Sequence, residues 1–421
     1  MRKLLKIAFP AAAGHQLRGY LQLPADRHPR RYALLAHCFA CTKNLRALRE
    51  IARALNLRGY GVLRFDMTGL GESDGDFVEG GFAGNVADLV AAYAFLERER
   101  GQAPVLVVGH SLGGTAALCA SRMMPAVEAV ATIGSPSDPE HVQQHFAESL
   151  GEIERRGRAT VSLGGQPFDI TLDFVRSLLD NDVEAAVRHA RKPLLVLHSP
   201  QDRTVDIAHA ERIYRAAHHP KSFVSLDGAD HMLTRAEDAH YAGRVIGGWA
   251  SRYVPDDAEG DGGQADPARA VSVRLDADAA YTTEIMARHH HLVADEPERV
   301  GGHDFGPGPY ELVSAGLGAC TAMTLHMYAR RKGWPLERAE VELRHFKDYA
   351  DDMTSVGDDG ASAKTATASK IDHFERRIRL EGQLDDAQVA RLLEIADRCP
   401  VHRTLEAGAR VVTELVDGEE A

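Results

Sequence analysis

No stretch of eighteen or more consecutive apolar residues occurs in this chain, so no helix reads as spanning a membrane. An excess of basic charge is missing as well. Lys and Arg number 49 against 61 Asp and Glu, a net charge of −12. This argues against nucleic acid or an anionic bilayer as a partner, since both call for a basic surface. Cysteine is scarce and its count of five is odd. That reads as reduced thiols in a cytoplasmic protein rather than a disulfide framework. The opening stretch MRKLLKIAFPAAAG lacks the apolar core of a secretion signal, because Lys6 and Pro10 break it. It reads instead as the start of a β-hairpin that turns near Gly14.

What is present is length. At 421 residues the chain exceeds what one hydrophobic core usually supports. The segment VPDDAEGDGGQADP, from 254 to 267, combines glycine and acid with almost nothing apolar. Such a segment cannot bury enough surface to order itself. We therefore divide the chain into 1–253, an acidic linker at 254–269, and 270–421. A second polar stretch at 348–369 reads as a mobile loop inside the second half.

In the first half, apolar strand-like runs alternate with helical patterns: YALLAH (32–37), YGVLRFD (60–66), VLVVG (105–109) and AVATIG (129–134). This βαβα order predicts a mainly parallel sheet with helices on both faces. VLVVGHSLGG places Ser111 in a G-x-S-x-G turn between a buried strand and a small-residue helix, a nucleophile elbow. A serine nucleophile needs a base and an acid that orients the base. Asp202 follows the strand PLLVLHSP, and His231 lies in the later loop LDGADHML. Asp206 is the rival acid, with Asp227 and Asp230 behind it. Two N–H donors must receive the oxyanion. Leu112 and, from the loop after YALLAH, Phe39 are the expected pair. Cys38 and Cys41 in that loop suggest packing rather than zinc or redox chemistry, because no second C-x-x-C or C-x-x-H accompanies them.

The second half carries two further cysteines. Cys320 lies within YELVSAGLGACTAMTLHMYARRKGW (310–334), a helix apolar nearly all round and so expected to be buried. Cys399 lies at the end of the amphipathic helix DDAQVARLLEIADRC, which Pro400 helps to stop. Strand patterns at 270–276, 282–295, 339–346, 370–382 and 409–415 surround them, predicting an α+β domain. The three histidines at 289–291 lie in a strand pattern, where neighbours alternate faces and cannot all meet one metal. No metal or other cofactor is expected.

Taken together, GHSLGG, HSPQD, GADHM and RFDMTGLGESDG make residues 1–253 resemble the α/β-hydrolase superfamily, with 137–190 as a small helical cap over Ser111. Residues 270–421 resemble the OsmC/Ohr superfamily of thiol peroxidases, through GPGPYELVSAGLGAC and CPVHRTL. That second resemblance implies Cys320 as the peroxidatic and Cys399 as the resolving cysteine. It implies Arg288 and Glu311 as the groups that depress the thiol pKa, a thiol reductant, and a homodimer formed through this half. Three readings compete. The chain is an esterase of short-acyl esters joined to a peroxidase of organic hydroperoxides; or an esterase on a dimerisation scaffold; or a binding and sensing protein with relic sites.

Overall fold

The computed structural model describes residues 4–25, 28–38, 41–163, 166–179, 181–254, 271–277, 279–288, 290–349 and 370–415. The chain forms two units: Met1–Ser272 with Met286–His291, and Val273–Ile285 with Leu292–Ala421.

The first unit is built on an eight-stranded sheet. Its first six strands are β1 (Leu4–Pro10), β2 (Gln16–Gln22), β3 (Arg31–Ala36), β4 (Tyr60–Phe65), β5 (Pro104–His110) and β6 (Ala129–Ile133). A separate hairpin follows, β7 (Arg158–Leu163) and β8 (Gln166–Thr171), before the sheet resumes with β9 (Leu194–His198) and β10 (Lys221–Ser225). The sheet order is β1-β2-β4-β3-β5-β6-β9-β10. The β1–β2 and β2–β4 pairs are antiparallel, and from β4 onward every pair is parallel. Every residue of β3, β4, β6 and β9 is buried, which explains why these strands read as continuous runs rather than alternating patterns.

Among the described residues, eight α-helices accompany the strands: α1 (Arg46–Asn56), α2 (Phe77–Arg100), α3 (Leu112–Ala120), α4 (Leu150–Arg156), α5 (Leu172–Leu179), α6 (Val183–Ala190), α7 (Ile207–Ala216) and α8 (Ala236–Ala250). The core residues of α1 and α8 pack on one face of the sheet, and those of α2, α3 and α7 on the other. Asp76 caps α2 by accepting the Val78 N–H at 2.8 Å. The expected cap over 137–190 is mixed rather than purely helical. It holds α4, α5 and α6 together with the β7–β8 hairpin. The hairpin strands RATVSL and QPFDIT carry the β-branched residues that favour a pleated surface. Val254, the first residue of the linker read at 254–269, is buried in the core. Its remainder lies outside the described residues.

The second unit contains β14 (Leu336–Tyr349), paired antiparallel with β15 (Lys370–Gly382). Strands β11 (Ser272–Leu275), β12 (Thr283–Ala287) and β13 (His290–Ala294) form a separate three-stranded sheet. The helices are α9 (Pro309–Lys332), α10 (Asp386–Ala396) and α11 (Pro400–Ala407). Leu325 and Ala329 of α9 and Leu392, Ile395 and Ala396 of α10 make a small core against β14 and β15.

Three sequence expectations change here, and a fourth falls mostly outside the described residues. The single strand read at 282–295 is two strands, turned at Arg288, whose φ is 58°. Residues 409–415 form no strand. Val411, Val412 and Leu415 are 85%, 77% and 93% exposed, and a strand needs a pairing partner to satisfy its backbone. Helix α9 is not buried all round. Only Leu317, Thr321, Leu325 and Ala329 are buried, while Met323 and Met327 are 65% and 70% exposed. Its length and mean apolarity suit a bilayer span, although no unbroken apolar run reveals this. Most of the mobile loop read at 348–369 lies outside the described residues.

Close packing of α1 on α8 depends on Gly243, where a Cβ would lie 2.7 Å from the Ala54 Cβ and 3.2 Å from the Ile51 Cα. Overpacking at such a contact costs about 1–3 kcal/mol. Chemical denaturation of Gly243→Val should therefore show an earlier unfolding transition of the first unit. An unchanged midpoint would contradict the α1–α8 packing.

Candidate active sites

Ser111 stands at the turn from β5 into α3 with φ 54° and ψ −130°. That conformation is sterically costly for a non-glycine residue. It persists because its surroundings fix it. The Ser111 N–H donates to the Ile133 carbonyl at the end of β6 (2.8 Å). The neighbouring glycines let strand and helix close on each other. A Cβ on Gly109 would collide with Gly114, and one on Gly113 with the His37 carbonyl.

His231 arrives on the loop after β10 and Asp202 on the loop after β9. The His231 Nδ1–H donates to Asp202 Oδ2 at 2.7 Å, and His231 Nε2 lies 3.0 Å from Ser111 Oγ. With Nδ1 protonated, Nε2 carries the lone pair and can accept the serine proton. Burial alone would push the Asp202 carboxyl up. Hydrogen bonds from His231 and from the Val205 and Thr204 amides outweigh it and hold the carboxyl below its usual range. The rival acids are occupied elsewhere. Asp206 caps α7 through the Ala208 N–H. Asp227 accepts from the Ser225 hydroxyl and Asp230 from the Thr234 amide.

Leu112 is buried as the first residue of α3, a position whose N–H has no intrahelical partner. Phe39 lies outside the described residues. The loop that carries it is braced on both sides. His37 donates from Nδ1 to the Cys38 carbonyl (2.8 Å) and accepts the Met67 N–H at Nε2 (3.1 Å). Lys43 is buried against Asp66 and also reaches Glu72. Burial would lower its pKa, but those two carboxylates raise it, so the ammonium stays charged. Cys38 and Cys41, expected as free thiols, form a disulfide. The Cys41 N–H donates to the Cys38 carbonyl at 3.2 Å, and this tight turn brings the two sulfurs together.

In the second unit, Cys320 and Cys399 lie close enough for their thiols to influence each other. Cys399 does not end α10. It is the N-cap of α11, with Pro400 as the first helical residue, a position where proline is favoured. Its sulfur accepts the His402 N–H at 3.4 Å. Burial would raise the Cys399 thiol. The Cys320 thiol, the His402 and Val401 amides and the Thr321 hydroxyl together pull it below its usual value. Cys320 moves the other way, through burial first and then through its bond to Cys399. Glu311 is committed to the start of α9, where it accepts the Gly308 N–H at 2.7 Å. Arg288 is exposed in a stretch that belongs to the first unit. A cleft of about 960 Å³ runs along α9 past Glu311, Ser314 and Gly318, and neither cysteine lines it.

Family models match both halves. One described as "Serine aminopeptidase, S33" matches residues 27–162, and one described as "OsmC-like protein" matches residues 301–414. The chain is a fusion of an α/β-hydrolase domain and an OsmC-like domain. Among curated proteins, the hydrolase domain is similar to lysophosphatidylserine lipase ABHD12 of Danio rerio, 27% identical over 178 residues. That match covers 41% of this chain and 44% of the relative, so the chain spans less than half of its length. It is also similar to the uncharacterized protein YqkD of Bacillus subtilis, 26% identical over 56% of this chain and 76% of that protein. Among solved structures, the esterase domain of a Rhodothermus marinus protein is 44% identical, covering 60% of this chain and 99% of that domain with a TM-score of 0.49.

Sequence reading had not singled out His110, whose signal was the variable position inside G-x-S-x-G. Its Nε2–H donates to the His231 carbonyl at 2.7 Å, fixing the loop that carries the base. Burial first, then the neighbouring His231, hold the His110 pKa down to about 4. An unfolded histidine takes its proton near 6.5. Between about pH 6.5 and 4 the unfolded state therefore binds more protons, and stability falls as pH falls through that window. In His110→Gln the loss of melting temperature between those pH values should be smaller than in the unmodified chain. An identical slope would show that His110 is not a buried neutral group.

Proposed function

We propose that the hydrolase domain is a serine carboxylesterase for esters of short acyl groups, and that the OsmC-like domain reduces organic hydroperoxides through Cys320 and Cys399. The observation that carries the first reading is the unbroken hydrogen-bond chain from Asp202 through His231 to Ser111. His231 takes the Ser111 proton as the hydroxyl attacks the ester carbonyl, and Asp202 stabilises the imidazolium that forms. The Leu112 and Phe39 amides receive the oxyanion. His231 then returns the proton to the departing alcohol, and water repeats the cycle to release the acid. The name of the Danio rerio relative, a lipase, agrees with ester cleavage. A dehalogenase of this fold would need an aspartate at the Ser111 position.

Ser111→Ala should abolish hydrolysis of a chromogenic short-chain ester, with a fall on the order of 10⁶ where the nucleophile is lost. Retention of a tenth of the turnover would remove Ser111 from this role. Asp202→Asn should be severely impaired, whereas Asp206→Asn, which alters only the α7 cap, should stay near the unmodified rate.

For the thiol domain, the supporting observation is that Cys320 and Cys399 lie close enough for their thiols to influence each other. Cys320 attacks the peroxide and becomes a sulfenic acid, Cys399 condenses with it to a disulfide, and a thiol reductant restores both. Brief treatment of the reduced protein with cumene hydroperoxide should give a Cys320–Cys399 crosslink by mass spectrometry. A Cys320 that stays reduced would leave the domain as a scaffold. The exposed apolar side chains of α9, among them Met323, Met327, Tyr310 and Val313, support a second copy of this chain as their cover. Light scattering at micromolar concentration should then report a dimer, and a monomer would overturn that assignment.

A further inference from the structure

We propose that His141, carried by the cap, is a positioning residue of the hydrolase site: it holds the peptide between Thr204 and Val205, and that peptide anchors the acid Asp202. The proposal deepens the serine-hydrolase reading and rests on it.

The two carboxylate oxygens of Asp202 have different partners. Oδ2 accepts the His231 Nδ1–H at 2.7 Å. Oδ1 accepts the Thr204 N–H at 2.8 Å and the Val205 N–H at 3.0 Å. A carboxylate turns easily about its terminal torsion when nothing holds it, so the two bonds to Oδ1 decide where Oδ2 points. The Val205 N–H and the Thr204 carbonyl belong to one planar amide and point in opposite directions when it is trans. On the carbonyl side of that plane, the His141 Nε2–H donates to the Thr204 oxygen at 2.7 Å, reaching across 63 residues of chain. A carbonyl cannot donate, so the proton on Nε2 is required. His141 thus grips one edge of a rigid plane whose other edge grips Asp202. A hydrogen bond at the carbonyl also polarises the N–H of the same amide, which strengthens its bond to Oδ1.

The next carbonyl along, that of Val205, accepts the Nε2–H of His198 at 2.8 Å. His198 ends β9, so this second support comes from the sheet, whereas the support from His141 comes from the cap. His141 is itself firmly seated. It is 8% exposed, and the following Val142 lies in the hydrophobic core. Asp138 accepts the His141 N–H at 3.1 Å and caps the 3₁₀ segment Pro139–Ser149. His209 of α7 stands nearly perpendicular to the His141 ring, with centroids 4.7 Å apart. The Nδ1 of His209 accepts the Ser137 N–H at 3.1 Å and Arg212 at 2.8 Å, which ties the start of the cap to α7.

The consequence falls on chemistry rather than on ester binding. Asp202 keeps the proton of His231 on Nδ1 and stabilises the imidazolium that forms as Ser111 attacks. An Asp202 whose Oδ1 is loosely held does both less well. Seating of the cap at His141 is therefore part of what makes His231 an effective base.

The test uses the full-length chain and steady-state kinetics on a chromogenic short-chain ester. Met and Gln are close in size, and only Gln carries an N–H that can reach the Thr204 carbonyl. His141→Met should lower kcat about tenfold, the scale of one lost hydrogen bond, with KM nearly unchanged. His141→Gln should recover most of that loss. If His141→Met fails to show a cooperative melting transition, His141→Ala replaces it with the same expectation. The second measurement is the rate at which a fluorophosphonate labels Ser111. In a chain already carrying Asp202→Ala, His141→Met should slow labelling no further, because its effect passes through Asp202. An unchanged kcat in His141→Met, a loss confined to KM, a His141→Gln as slow as His141→Met, or a full further loss on top of Asp202→Ala would overturn the proposal. An unmodified chain that neither cleaves the ester nor takes the label would sink the hydrolase reading itself, and the proposal with it.

Discussion

The hydrolase domain depends on one backbone constraint: a serine held at positive φ where a buried strand meets a helix. An L-residue in that region is unfavourable by about 1–3 kcal/mol, so the surrounding contacts must fix it. Strand β6 supplies the carbonyl that the Ser111 amide bonds. Gly109 and Gly113 supply the space that any side chain would fill. Once Ser111 is fixed, the rest of the site follows from the parallel sheet. β5, β9 and β10 end at the same edge, so the loops after them bring Ser111, Asp202 and His231 together. His110, within the turn itself, ties the loop of the base back to the nucleophile strand.

In both sites a buried group meets oriented donors rather than open solvent. Asp202 has its histidine and two loop amides. Cys399 accepts the His402 amide at the amino end of α11. Such groups gain because the donors are already oriented, whereas water would have to reorganise around the charge.

The strands of the first half, the elbow, and the Asp and His loops were legible because each leaves a local signature: an unbroken apolar run, a glycine pair, a polar stretch after a strand. Two features were not legible, for physical reasons. The Cys38–Cys41 disulfide needs the turn that joins its ends, and cysteine counting does not encode that turn. The β7–β8 hairpin sits in a segment whose charged residues suited helices equally well.

The central claim is that Ser111 is a nucleophile made reactive by His231. Intact-mass and peptide analysis of the full chain after exposure to a fluorophosphonate measures this directly. The account predicts a single adduct, on Ser111, whose rate of formation collapses in His231→Ala. A chain that acquires no adduct, or acquires it at the same rate without His231, would contradict it.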